Sequence, residues 1–153
     1  MYTRTEASQA RQAFWTTFGQ YMAPQLSAEG ERINWINYKT GERDIYFKMH
    51  AGTSIATIGI ELTHPDLELQ QLYFEQFEQS KKMLHAMVKE EWTWHLHVPS
   101  ETSKTTSKIY TAYNGVNIIK REDWPAAISF FKPRIIALDA YWSEVKYGFE
   151  ALR

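Results

Sequence analysis

The sequence predicts an α+β fold in which helices pack on a mixed or antiparallel sheet, and three observations support this. The chain has 153 residues, 44% hydrophobic and 23% charged, the composition of a globular protein with one core. Apolar residues recur at helical spacing in some segments and alternate in others. Short turns join the alternating segments, which favours hairpins. No linker divides the chain, so residues 1–153 are expected to form a single domain.

The first half reads as a helix, three strands and a second helix. Thr3 and Glu6 have the spacing of a capping box, and Pro24 ends the helical pattern. Pro65 lies in the first turn of a long second helix that reaches Val88. The strands are predicted at Ile33–Tyr38, Arg43–His50 and Ile55–Thr63.

The second half repeats this pattern, giving the order α-βββ-α-βββ-αα. Asn114-Gly115 predicts a hairpin turn. Asp123 and Pro125 open a helix that Pro133 is expected to interrupt, and a final helix begins near Pro133. The similarity of the halves suggests a duplication of about 60 residues. The strands are predicted at Trp92–Val98, Ser107–Tyr113 and Val116–Lys120.

Composition excludes several classes of protein. The absence of cysteine excludes disulfides, thiolate metal clusters and a cysteine nucleophile. With 17 basic and 18 acidic residues, any contact with nucleic acid needs a local patch. No apolar run is long enough to span a membrane, so a soluble protein is expected, and the absence of cysteine fits a reducing cytoplasm.

An acidic row is the first candidate site. If the turns close on Tyr38–Arg43 and on His50–Ile55, Asn37, Asp44 and Glu61 lie side by side on one sheet face, which Lys48 shares. Two adjacent carboxylates are unfavourable without a cation, and Mg²⁺ prefers oxygen ligands. The alternative is a solvated outer face, which is the norm for polar residues on a sheet.

Residues from about 4 to 98 resemble the core of the PD-(D/E)xK nucleases, with Asp44 and Glu61 in the two acidic slots. The resemblance implies that these two residues bind metal and that a lysine follows the second acid by two positions. Thr63 occupies that slot, which implies weakened or lost catalysis. Lys48 would stand in for the lysine, and Gln70 matches a helix glutamine of some members.

Five stretches spread over nearly the full length of the chain carry a second resemblance: NWINYKTGERDIYF, QQLYFEQF, EEWTWHLH, EDWPAAISFFKPRIIALD and WSEVKYGFEALR. With these stretches the whole chain resembles a bacterial family, domain of unknown function 4268. The resemblance implies no activity, although relatives with this segment behind nuclease-like regions favour a nucleic-acid setting.

Histidines and aromatic residues supply the remaining candidates. His95 and His97 are two apart on a predicted strand, so both would point to one face, as in metal sites built on sheets. A catalytic zinc needs a third ligand, and the sequence nominates none clearly; the alternative is the polar side of an amphipathic strand. Trp35 and Tyr46 would share the face of the acidic row, where aromatic rings can stack bases or pack against another subunit. The final helix is a candidate dimer surface, with Tyr141, Trp142, Tyr147 and Phe149.

Two functional hypotheses follow. One is a degenerate nuclease-like protein accessory to nucleic-acid processing, with Asp44, Glu61, Lys48 and Gln70 as its site and Mg²⁺ as its ion. The other is a non-enzymatic, oligomeric protein-binding module, such as a homodimer.

Overall fold

Four helices and a four-stranded antiparallel sheet form the protein in a computed structural model that describes residues 3–153. The order is α-ββ-αα-ββ-α. Short 3-10 helices precede and follow the last α-helix, at Arg121–Asp123 and Lys146–Leu152. The helices are α1 (Arg4–Met22), α2 (Leu67–Gln79), α3 (Lys81–Val88) and α4 (Trp124–Val145); the strands are β1 (Ile45–Ala51), β2 (Ile55–Leu62), β3 (Thr93–Pro99) and β4 (Thr105–Asn114).

The sheet has the strand order β1-β2-β4-β3, and its inner face meets the helices. Alternate residues of β1 and β2 point inward, as the sequence predicted, and they are buried: Ile45, Phe47, Ile58, Ile60 and Leu62. Helix α4 packs Phe131, Ile135 and Leu138 into the same core. Burying a side chain of this size contributes about 1.5–3 kcal/mol.

The prediction of a strand at Ile33–Tyr38 is wrong, because a side chain competes with strand pairing. The Asn34 side-chain oxygen accepts hydrogen bonds from the backbone N–H groups of Ile36 (3.1 Å) and Asn37 (3.0 Å). These bonds fold the segment into a turn. Trp35 is buried and donates its indole N–H to the Gln25 carbonyl, so it does not share a sheet face with Tyr46.

The prediction of a strand at Val116–Lys120 fails for the same reason. The Asn117 side-chain oxygen accepts from the Ile119 N–H, and the Asn117 N–H donates to Asp123. Gly115 ends β4 with a φ of +88°, and its N–H donates to the Ser54 carbonyl instead of closing a hairpin. With both segments outside the sheet, the order α-βββ-α-βββ-αα is corrected to α-ββ-αα-ββ-α.

The helix boundaries also differ from the prediction. The long second helix is broken at Ser80, whose hydroxyl lies 2.7 Å from the Tyr141 hydroxyl. Pro133 does not interrupt its helix: α4 runs continuously past it. Pro133 is exposed, so its ring meets solvent and the helix keeps its buried contacts on the opposite side. The predicted N-cap is confirmed, since Thr3 accepts from the Glu6 N–H at 3.0 Å.

Candidate functional site: the outer face of the sheet

The face of the sheet opposite the helices carries polar and aromatic side chains, and we call it the outer face. Two rows cross it at neighbouring positions of all four strands. One row is Tyr46, Glu61, Lys108 and His95, in the strand order β1-β2-β4-β3. The other row is Lys48, Gly59, Tyr110 and Thr93.

Gly59 lies at the centre of the outer face, where β2 and β4 approach each other closely. A Cβ atom there would lie 2.4 Å from the Ile109 carbonyl oxygen and 2.5 Å from Tyr110 Cβ, so only glycine fits. Gly59 therefore lets β4 approach β2 closely, and beside this contact lies a depression of about 240 Å³ that is lined by Lys48, Lys108 and Glu61 and by the Tyr110 and His95 rings. The sheet thereby places two rings, two lysine ammonium groups and one carboxylate around the same depression.

The charged groups of the outer face are free to meet a ligand. The Lys48 ammonium lies 4.9 Å from the centre of the Tyr46 ring, which is 43% exposed. Glu61 accepts no hydrogen bond and forms no ion pair with any residue of the described chain, although Lys108 lies opposite it. The lysine and acidic residues of the two rows, Lys48, Lys108 and Glu61, thus give this part of the outer face a net positive charge, although the whole chain has a net charge of −1.

The predicted acidic row does not exist, because β1 and β2 pair in a different register. Ala51 lies opposite Ala56, which shifts the pairing by two residues and places Thr63, not Glu61, opposite Asp44. Asp44 precedes β1 with a φ of +65°, and its carboxylate accepts from the Thr63 hydroxyl at 3.2 Å. Asn37 lies in the turn made by Asn34.

Gln70, the fourth predicted site residue, lies on the opposite side of the sheet. It is fully buried; its amide nitrogen donates to the His64 and Thr105 carbonyls, and its oxygen accepts from the Ser107 hydroxyl at 2.6 Å. These bonds tie the start of α2 to β4. Of the predicted site residues, the structure brings together only Lys48 and Glu61.

Asp44 and Glu61 lie on adjacent strands but not opposite each other, so the side-by-side arrangement predicted for a Mg²⁺ site is absent. Within residues 3–153, no three histidine or acidic side chains converge as metal ligands would. Mg²⁺ demands near-octahedral oxygen coordination, and Asp44 is held by Thr63 at the strand end. No chemical step is therefore derived through a metal ion.

A β-bulge separates the two histidines that were predicted to share a face. The pairing of β3 with β4 shifts between His95 and Val98, and His97 has a φ of +54°. His95 lines the outer face beside Tyr110, at a ring distance of 5.8 Å. His97 lies 3.0 Å from the Leu67 carbonyl at the start of α2. The expectation that they point to one face is therefore wrong.

A second concave region, missed by sequence reasoning, surrounds Asp139 of α4. This cleft of about 460 Å³ lies between α4 and the segment 27–40. Asp139 is buried; one carboxylate oxygen accepts from the Tyr38 hydroxyl (2.6 Å) and the other from the Ala28 N–H (2.7 Å). Burial and this carboxylate raise the pKa of Tyr38 far above its usual value. Both Asp139 oxygens are thus used within the protein, where they hold the segment 27–40 against α4.

One signal for Asp139 was present in the sequence. It is an acidic residue on the apolar stripe of a helix, between Leu138 and Trp142, and a buried carboxylate needs partners. The outer-face residues Lys108 and Tyr110 were also missed. Their alternation with Ser107 and Ile109 placed them on one face, but the strand order that sets them beside Glu61 is a long-range property.

The predicted dimer surface on the last helix is mostly core. Tyr141, Trp142 and Phe149 are buried, while Tyr147 is 62% exposed. A different apolar surface lies between α3 and α4, where a groove of about 560 Å³ includes Met87, Val88 and Ile136.

Comparisons with known proteins give a family but no activity. The sequence model of the family described as "Domain of unknown function (DUF4268)" matches residues 10–146. No curated protein and no solved structure matches the chain, so no similarity to a nuclease is found. Across residues 3–153, no helix has the length and apolar character needed to cross a membrane.

Proposed function

Because the chain belongs to the DUF4268 family, whose description names no activity, we propose a function from the outer face itself: it binds single-stranded nucleic acid. The observation that carries the proposal is the placement of the half-buried Tyr110 ring beside Gly59, in a depression that Lys48 of β1 and Lys108 of β4 also line. Each base of a single strand has a flat face that can stack on an exposed aromatic ring. Paired bases in a duplex do not offer that face.

The two lysines supply the charge complementarity. Lys48 and Lys108 lie on either side of the depression, so they can contact the phosphates that flank a base stacked on Tyr110. Tyr46 provides a second ring at the edge of the sheet, with Lys48 against it. A four-stranded sheet with aromatic residues on an uncovered face is a known solution for binding single strands.

We propose binding without cleavage. The nuclease hypothesis from the sequence rests on Asp44 and Glu61 lying opposite each other, and the register places Thr63 opposite Asp44 instead. Glu61 and Lys48 instead belong to the binding surface.

Fluorescence anisotropy with labelled oligonucleotides of about eight nucleotides tests the proposal. Single strands are expected to bind more tightly than the matching duplex. Tyr110→Leu keeps an apolar side chain over Gly59 but removes the ring, and is expected to weaken binding about 5-fold to 150-fold, since stacking contributes about 1–3 kcal/mol per base. Tyr147→Leu, a change at an exposed tyrosine outside the face, serves as the control. Equal affinities for Tyr110→Leu and wild-type protein would contradict the proposal.

Self-association through the groove between α3 and α4 is a second candidate, favoured by its apolar lining and by Met83, which is 44% exposed on α3. Light scattering tests it directly. A mass of twice 18.0 kDa that falls to the monomer mass in Ile136→Glu supports a dimer through this groove, and a monomeric wild-type protein contradicts it.

A further inference from the structure

The most specific feature of the outer face is a carboxylate without a partner next to the proposed stacking ring. Glu61 lies one strand away from Tyr110, offset by two residues, and both line the depression at Gly59. No donor of the described residues 3–153 satisfies its oxygens. An ionised carboxylate only accepts hydrogen bonds, so its ligand must be a donor.

The bases of nucleic acid differ in the donors that they offer. Guanine presents two adjacent donors, N1–H and the N2 amino group, along its Watson–Crick edge. Adenine, cytosine and uracil or thymine each place a donor next to an acceptor there, and an acceptor faces a carboxylate unfavourably. A carboxylate that takes two parallel donors is bound in the strong, bidentate way.

We propose that Glu61 makes the outer face selective for guanine in single-stranded nucleic acid. The guanine stacks on Tyr110 in the depression and donates N1–H and N2–H to the two oxygens of Glu61. Lys48 and Lys108 hold the neighbouring phosphates.

This proposal rests on the proposed function, and it assigns a role to the one acidic residue of the two rows. A surface that bound phosphate alone would gain from a neutral residue at position 61. The carboxylate instead sits opposite Lys108 without pairing with it, so it stays available for base edges.

The test compares oligonucleotides of about eight nucleotides that differ at one central position, in DNA and RNA forms. Guanine is expected to bind about 10-fold to 100-fold more tightly than adenine or thymine, in line with the discrimination of a bidentate contact. Inosine lacks the N2 amino group but keeps N1–H, so it should fall between. In Glu61→Gln the ratio of guanine to adenine affinities should fall to one or below, because the amide offers one donor and one acceptor and so matches the edge of adenine.

Glu75→Gln, an exposed change on α2, is the matched control and should keep the preference for guanine. Circular dichroism confirms that both variants fold. If all central bases bind equally to wild-type protein, or if Glu61→Gln retains the preference, the guanine proposal is overturned while nucleic-acid binding stands. If no oligonucleotide binds, the proposed function itself fails.

Discussion

His64 is an unusual residue of the core. It is 3% exposed, its ring lies 4.2 Å from that of Tyr73, and neither ring nitrogen has a partner within residues 3–153. Burial lowers the pKa of His64, and the nearby Asp44 carboxylate opposes this shift. The neutral imidazole is therefore the form that the fold accepts.

The consequence is a dependence of stability on pH. Since the folded pKa lies below the usual value of about 6.5, the unfolded chain binds the proton more readily. The contribution of the neutral His64 to the free energy of unfolding is fully present above about pH 6.5, the usual histidine pKa. It is lost as the pH falls from there through the lower pKa of His64 in the folded protein. His64→Phe keeps a ring against Tyr73 and should raise the free energy of unfolding at pH 7 by about 1–3 kcal/mol, since it removes unpaired polar atoms.

Urea denaturation between pH 5 and pH 7 measures this effect, over the range where an ordinary histidine with a pKa of about 6.5 titrates. The His64→Phe variant should lose less stability on acidification than wild-type protein. His50→Gln, at an exposed histidine of β1, should leave the wild-type slope unchanged. Parallel slopes for wild-type protein and His64→Phe would contradict the assignment.

Gly59 allows a second prediction at the scale of one residue. Gly59→Ala places a methyl group against the Ile109 carbonyl and Tyr110, so β2 and β4 must move apart. We expect a loss of about 1–3 kcal/mol of unfolding free energy, as for other overpacked sites. Thr57→Ala, on the same strand and face, should change stability by less than about 1 kcal/mol in the same thermal or urea titration.

Among the elements, the segment 27–40 depends on α4 for its position. Asp139→Ala removes the acceptor of both the Tyr38 hydroxyl and the Ala28 N–H. Hydrogen exchange should therefore become faster in residues 27–40 while β2 and β4 stay protected. Glu144→Ala, at an exposed acid on the same helix, should leave exchange unchanged. Unaltered exchange in Asp139→Ala would show that other contacts hold the segment.

The sequence predicted those elements whose patterns are local and unopposed. The inner residues of β1 and β2 alternate cleanly, and Thr3 caps α1 through bonds within one turn. The segments that begin at Ile33 and Val116 also alternate, but Asn34 and Asn117 offer the backbone a nearer partner. The alternating pattern of apolar residues does not show whether an asparagine side chain will bond to the backbone in place of a neighbouring strand.

The sequence predicted only part of the candidate site, because the rest depends on strand register and strand order. Glu61 and Lys48 were placed on one face because side chains alternate along a strand. Asp44 was misplaced because the length of the turn after β1 sets the register, and a shift of two residues changes every partner. Lys108 and Tyr110 became neighbours of Glu61 only through the pairing of β2 with β4.

At the scale of the whole molecule, the balance of charge limits how nucleic acid can bind. With a net charge of −1, the chain as a whole does not attract nucleic acid, so the proposed binding depends on a local patch such as the outer face. Contacts from Lys48 and Lys108 predict that log K falls with log salt at a slope of about −1.4, two phosphates at ~0.7 each. Lys108→Gln should reduce the slope to about −0.7. Lys82→Gln, at an exposed lysine of α3, should not change it; a slope much steeper than this in wild-type protein would point to a broader surface.

The bulge in β3 has a consequence for how copies of the chain meet each other. β3 is an edge strand, and an unpaired straight edge invites another chain to extend the sheet. The left-handed backbone at His97 and the shift between His95 and Val98 interrupt the row of free N–H and C=O groups on that edge. The irregularity that separates the two histidines thus also guards this side of the sheet against edge-to-edge aggregation.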